Sequence, residues 1–208
     1  MEKRRLRPHI LFLLVAVIVV IPIITLFMTI STSLKPKENK EVLLDDIITS
    51  DLPVINTTNV INPYLDQSVT IKKGFYDYQE SEEKQVDSIT YHDNTYMQNT
   101  GIDYVSDNIF DVVSILDGTV INVKDDDKVG KTVEIKHDNG LISIYQSLSE
   151  TMVKKNDIVN QGIVLGKSGT NELDKELGNH LHFEIYDNGQ PVNPLNYLNR
   201  EVIKKKEN

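Results

Sequence analysis

The stretch "GNHLHFEIYDNG", residues 178–189, decides how the rest of the chain is read. Polar and apolar residues alternate along it. His180, His182, Glu184 and Tyr186 fall on one face of a strand, and Leu181, Phe183 and Ile185 fall on the other. Two histidines two residues apart thus stand side by side above an apolar underside. The stretch ends in Asp-Asn-Gly, which supplies the positive-φ residues of a tight hairpin turn. The pattern predicts a half-buried strand of an antiparallel sheet; on the pattern alone the histidine pair is either half of a metal site or an ordinary edge-strand pair.

Working outward, the same texture recurs from about residue 68 onward. "SVTIKKGFYDY", "FDVVSILDGTVINVKDD", "KTVEIKHDNGLISIYQSLS" and "GIVLGKSG" are short β-rich runs. "LDGT", "HDNG" and "YDNG" punctuate them and are read as hairpin signals. No long amphipathic helix interrupts them, and residues 171–177 are read as at most one turn. The expectation is a mainly β, antiparallel domain of about 130 residues.

The N-terminal part is different in kind. Residues 10–30, "ILFLLVAVIVVIPIITLFMTI", carry no charge. At about 1.5 Å per residue they extend roughly 31 Å, enough to cross a bilayer core. Pro22 is tolerable in a membrane helix. Lys3, Arg4, Arg5 and Arg7 precede the run, which places the N-terminus in the cytoplasm and the body outside. The rival reading is a cleaved signal peptide, but the run is long for one and no A-x-A-like site follows. The resulting organisation is a cytoplasmic basic segment (1–9), a transmembrane helix (10–30), an extracytoplasmic linker (31–66), a β domain (67–200) and a charged tail (201–208). The linker holds Pro36, Pro53 and Pro63, with a short helix expected over residues 42–48.

The chain has 208 residues, a net charge of −9 and no cysteine. The absence of cysteine excludes disulfides, thiolate metal sites and a thiol nucleophile. The first eight residues carry +3, so residues 31–208 carry −12. Such an acidic body excludes nucleic acid as a partner, because phosphate binding needs clustered Lys and Arg.

In order and spacing, "TGIDY" (100–104), "GTVINV", "VEIKHDNGLISIYQSLS", "HLHFE" and "PVNPLNYL" resemble the lysostaphin/LytM family of zinc peptidases, which cut cell-wall cross-links. The resemblance covers roughly residues 85–198 and implies that family's antiparallel, duplicated-hybrid-motif fold. It also implies a site: metal held by the His and Asp of H-x-x-x-D and by the second His of H-x-H. Two further histidines, in Y-x-H-L and first in H-x-H, would serve the bound water. Catalytic zinc with three protein ligands and one open position needs such a set.

Carried over residue by residue, the set is incomplete. Asp103, His180 and His182 are present. Asn99 stands where the first zinc-ligand histidine belongs, and Ser147 stands where a catalytic histidine belongs. An amide oxygen is a poor zinc ligand beside imidazole, and a serine is no base near neutral pH. Among the other histidines, His137 is read as a turn-flanking surface residue, His92 as a remote substitute and His9 as part of the membrane boundary. Glu184 is read either as a carboxylate orienting an imidazole or as an ordinary solvated strand residue. The expected cofactor is none, with zinc only if the residual site still holds it.

The flanks "NPYLDQSVTIKKGFYDY", "TYMQNTGIDY" and "IYQSLS" are similar to a sporulation branch of that family, and extend the match back to about residue 62. Members of that branch are single-pass forespore membrane proteins of endospore-forming Firmicutes, often with a degenerate site. That resemblance implies docking across the intermembrane space with the mother-cell stage III sporulation protein AH, and a forespore-membrane location. Two other functions fit the sequence: a working zinc endopeptidase of peptidoglycan with a rearranged site, and a non-catalytic activator of another cell-wall hydrolase.

Overall fold

A computed structural model of the chain describes residues 57–203. In chain order the elements are β1 (Thr57–Asn59), β2 (Thr70–Lys73), α1 (Glu82–Asp87), β3 (Ile89–His92), β4 (Thr95–Gln98), β5 (Ile102–Val105), β6 (Asp111–Val113) and β7 (Gly118–Asp126). Then come β8 (Gly130–His137), β9 (Ile142–Thr151), β10 (Ile158–Val159), β11 (Val164–Ser168), β12 (His180–Asp187), β13 (Gln190–Val192) and β14 (Glu201–Ile203). The main sheet runs β10-β7-β8-β9-β12-β5-β2, with β6, β11 and β13 joined at its sides. All pairings are antiparallel. The expected antiparallel β domain is present. Residues 171–178 form a loop whose one helical turn is the 3-10 segment Lys175–Leu177.

The apolar face of the quoted stretch behaves as its alternation predicts, but the strand is not half-buried, because His180 and Glu184 on the polar face are buried as well. Leu181, Phe183 and Ile185 are fully buried and join Tyr104 and Tyr145 in the core. The Phe183 ring lies 5.2 Å from Tyr145 and 6.5 Å from Tyr104, centroid to centroid. Each such side chain contributes about 1.5–3 kcal/mol by leaving water. The turn after β12 uses Asn188 at φ 50° and Gly189 at φ 77°, both in the left-handed region that a primed hairpin turn needs.

Three expectations need correction. "LDGT" is not a hairpin turn, because β6 pairs with β11 and β7 pairs with β10 and β8. Gly118 is there for close approach: a Cβ would lie 2.6 Å from the Lys136 carbonyl oxygen. The folded body is longer than residues 67–200. β1, in the stretch read as linker, pairs with β14, in the stretch read as tail, and Val60 is fully buried. His137 is not at the surface but buried, its Nδ1–H donating to Asp117 O at 2.9 Å and its Nε2 2.7 Å from Ser143 Oγ.

The residues assigned to the transmembrane helix (10–30), the basic segment, His9 and the 42–48 helix lie outside the described residues. Among the described residues no helix is long and apolar enough to cross a membrane.

The buried His137 yields a pH prediction. Burial pushes its pKa below the ordinary value, outweighing the Asp117 carbonyl and the nearby Asp138 and Asp117 charges. The folded state thus favours the neutral ring, and the unfolded chain binds more protons as pH falls below about 6.5. Stability from this group is present above that pH and is lost on acidification. Melting temperatures at pH 7.5 and 5.5 are expected to differ less in His137→Gln than in the unmodified chain; an unchanged difference would contradict the assignment.

Candidate metal centre

Strand register brings the site together. His182 on β12 lies directly opposite Asp103 on β5, with Gln146 of β9 on its other side. Side chains on one face of such a pair sit within reach of each other. Asn99, four residues before Asp103, sits just ahead of β5 and is buried. Gly101 between them lets the strands close up, because a Cβ there would lie 2.2 Å from the Phe183 carbonyl oxygen.

His182 is clasped by two carboxylates. Its Nδ1 is 2.7 Å from Asp103 Oδ1 and its Nε2 is 3.1 Å from Glu184 Oε1. Carboxylates only accept, so both ring nitrogens donate and the ring is an imidazolium. Burial opposes that charge, but the hydrogen bonds and charges of Asp103 and Glu184 override it and push the His182 pKa up to about 10. Burial likewise opposes the Glu184 carboxylate, and the imidazolium holds its pKa below the usual value. Asp103 Oδ2 accepts from Asn99 Nδ2 at 3.0 Å, and the same amide donates to Gly74 O at 2.9 Å. Asn99 therefore turns an N–H, not an oxygen, toward the aspartate.

His180 is separate from this clasp. Its Nδ1–H donates to Gly178 O at 2.9 Å, which leaves Nε2 as an acceptor 2.8 Å from Ser147 Oγ. Both residues are fully buried, and burial holds the His180 pKa below its ordinary value despite the Gly178 carbonyl. Ser147 has a φ of 65°, rare for a residue with a side chain.

The six residues singled out in the sequence thus form two neighbouring networks. Asn99, Asp103, His182 and Glu184 make one; Ser147 and His180 make the other. Among the described residues, no three or more His, Asp or Glu side chains are grouped so as to hold a metal ion. A groove of about 240 Å³ opens beside the first network, lined among others by Asn99, Asp103, Gln146, Asn171, His182 and Glu184. His92 is in the β3–β4 hairpin, 3.1 Å from Asp93, and takes no part.

Sequence reasoning missed two participants. Thr100 donates its hydroxyl to Glu184 Oε1, a contact that the T-G-I-D order alone could have flagged as adjacent to the site. Asn171 donates to Ser147 Oγ at 2.8 Å and lies 3.1 Å from His180 Nε2. It belongs to no motif.

Residues 97–194 match Peptidase family M23. The chain is 40% identical to Stage II sporulation protein Q of Bacillus subtilis over 69% of its own length and 52% of that relative's, so it spans about half of that protein. It is 35% identical to the DD-carboxypeptidase/endopeptidase Mpg of Neisseria meningitidis over 49% of its length and 23% of that protein's. Among solved structures it is similar to a chain of the SpoIIQ-SpoIIIAH pore forming complex, with 40% identity, a TM-score of 0.66, and coverage of 68% of this chain and 91% of that one. A zinc-containing peptidase from Vibrio cholerae is similar at 25% identity and a TM-score of 0.52, over 65% of this chain and 39% of that one.

Proposed function

The chain belongs to the stage II sporulation protein Q family, built on a peptidase family M23 domain, and on that premise we propose that it is a membrane-anchored, catalytically silent docking protein of endospore formation. The observation that carries the silent half is the donor set. A catalytic zinc needs three protein ligands with free lone pairs. Here only Asp103 and His182 are strong zinc donors, and Asn99, whose amide N–H points at Asp103, offers a neutral amide where the third ligand belongs. The residues present do not fit the ion, and Ser147 replaces the base.

Three features support the docking half. The uncharged run 10–30 anchors the chain, with the domain on the extracytoplasmic side of the forespore membrane. Residues 31–56, polar and interrupted by Pro36 and Pro53, connect that run to the domain in sequence. β2 and β10 end the main sheet, and such edges accept a strand from another chain. The partner is the mother-cell stage III sporulation protein AH, as in the complex of the relative. The role is to support engulfment and communication between forespore and mother cell.

Mixing residues 31–208 with the extracytoplasmic domain of that partner is expected to give a complex that co-elutes in size-exclusion chromatography. Separate elution at micromolar concentration would sink the docking reading. Stimulation of a cell-wall hydrolase without any such complex would favour an activator instead.

A further inference from the structure

His180 is the one member of the peptidase set that is present yet outside the carboxylate clasp. Its tautomer is set by Gly178 O, so Nε2 carries the only lone pair that could take up a proton or meet water. That lone pair faces two donors. Ser147 Oγ is 2.8 Å away and Asn171 Nδ2 is 3.1 Å away, while the same amide donates to Ser147 Oγ at 2.8 Å. The three polar atoms close a triangle with no gap for a water.

Asn171 is itself held. Its Oδ1 accepts from the Asp174 backbone N–H at 2.8 Å. Asp174 is gripped by the ammonium of Lys73 on β2, which also donates to Thr90 Oγ1 at 2.7 Å. The N–H groups of Glu172 and Leu173 both donate to Lys128 O at 3.0 Å. Asn171 lines the 240 Å³ groove, and the histidine behind it is fully buried.

We propose that Asn171 is a silencing residue: its side-chain amide seals His180 off from the groove, a lock separate from the substitutions at positions 99 and 147. The inference deepens the silent-site reading and rests on it for its meaning. The two motif changes remove a ligand and a base, whereas Asn171 removes access to the histidine that survives. Restoring the histidine at 99 alone would therefore leave His180 sealed. Asn171 is a positioning residue, acting through Nε2 rather than on any substrate.

Diethyl pyrocarbonate tests this on the full chain in detergent micelles at neutral pH. It acylates an uncharged imidazole nitrogen that it can reach, with the displaced ethyl carbonate decaying to ethanol and carbon dioxide. Peptide mass mapping reads each histidine. His92, with 22% of its side chain exposed, is the reactive control, and the buried His137 reports whether the fold is intact. In the unmodified chain His180 and His137 are expected to stay protected. Asn171→Ser keeps an acceptor for the Asp174 amide but is too short to cap Nε2. Labelling of His180 is expected to rise on the order of tenfold or more, with His137 still protected.

Continued protection of His180 in Asn171→Ser and in Asn171→Gly would overturn the lock. So would a joint rise at His180 and His137, which marks general loosening, or fast labelling of His180 in the unmodified chain. None of these results bears on zinc. Tight zinc binding by the unmodified chain would instead remove the silent-site reading while leaving the labelling of the metal-free protein interpretable.

Discussion

Replacing His182 by Ala is expected to destabilise the metal-free domain by about 3–5 kcal/mol, the scale on which a buried ion pair fails when one partner is removed. Asp103 and Glu184 are almost entirely buried, at 3% and 5% exposure, and His182 is the cation between them. The groove admits water beside them, which sets the cost toward the lower end. His182→Gln, which can donate to one carboxylate, should recover part of the loss. Chemical denaturation of the three proteins measures it. The sign of the pH dependence is also set. The folded pKa of about 10 lies above the unfolded value of about 6.5. This contribution is complete below pH 6.5 and is lost as pH rises toward 10. A His182→Ala protein as stable as its parent would mean that the two carboxylates do not need the imidazolium.

The second large effect is expected at Gly101. In Gly101→Ala the new Cβ would meet the Phe183 carbonyl oxygen at 2.2 Å and Glu184 Cγ at 2.9 Å. The first obstacle is backbone in the middle of β12, so β5 must move away from it. Overpacking of this kind costs about 1–3 kcal/mol and sometimes more, and a backbone clash belongs at the upper end. The shift would also carry Thr100 away from Glu184 and Asp103 away from His182. Gly140→Ala, at a turn with nothing within 4 Å of the added Cβ, is the comparison: its φ of 92° costs strain but no collision. Thermal melts of both variants decide the matter, and equal losses would contradict the close approach of β5 and β12.

The strand at 180–187 was legible because a period of two assigns every residue to a face, and Leu181, Phe183 and Ile185 on one face are all buried; the burial of His180 and Glu184 on the other face was not legible. Asp103 and His182 were legible as neighbours only through the family resemblance, since cross-strand register is not written in either segment alone. Residue types misled where their role is tertiary. Asp117-Gly118 looks like a turn, yet the glycine serves the approach of β8. His137 beside Asp-Asn-Gly looks exposed, yet it packs inward on Ser143, whose Oγ lies 3.1 Å from Tyr145 Oη. β1 and β14 are three residues each and pair across most of the domain, a contact that no local pattern announces. Asn171 was invisible for the same reason: a lone asparagine in a polar loop carries no period and no motif. Glu184 shows the limit from the other side. Its face was readable, but only the observed contact at 3.1 Å selects the imidazole partner over solvent.

On the silent-site reading, Asp103, His182 and Asn99 do not hold zinc. Isothermal titration of zinc into residues 31–208, purified without a metal-binding tag, addresses it most directly, with Asn99→His/Ser147→His as the comparison. Weak or absent binding by the unmodified sequence is expected, with tight binding by the comparison protein, which regains a third ligand. Tight stoichiometric binding by the unmodified sequence, abolished in His182→Ala, would contradict it.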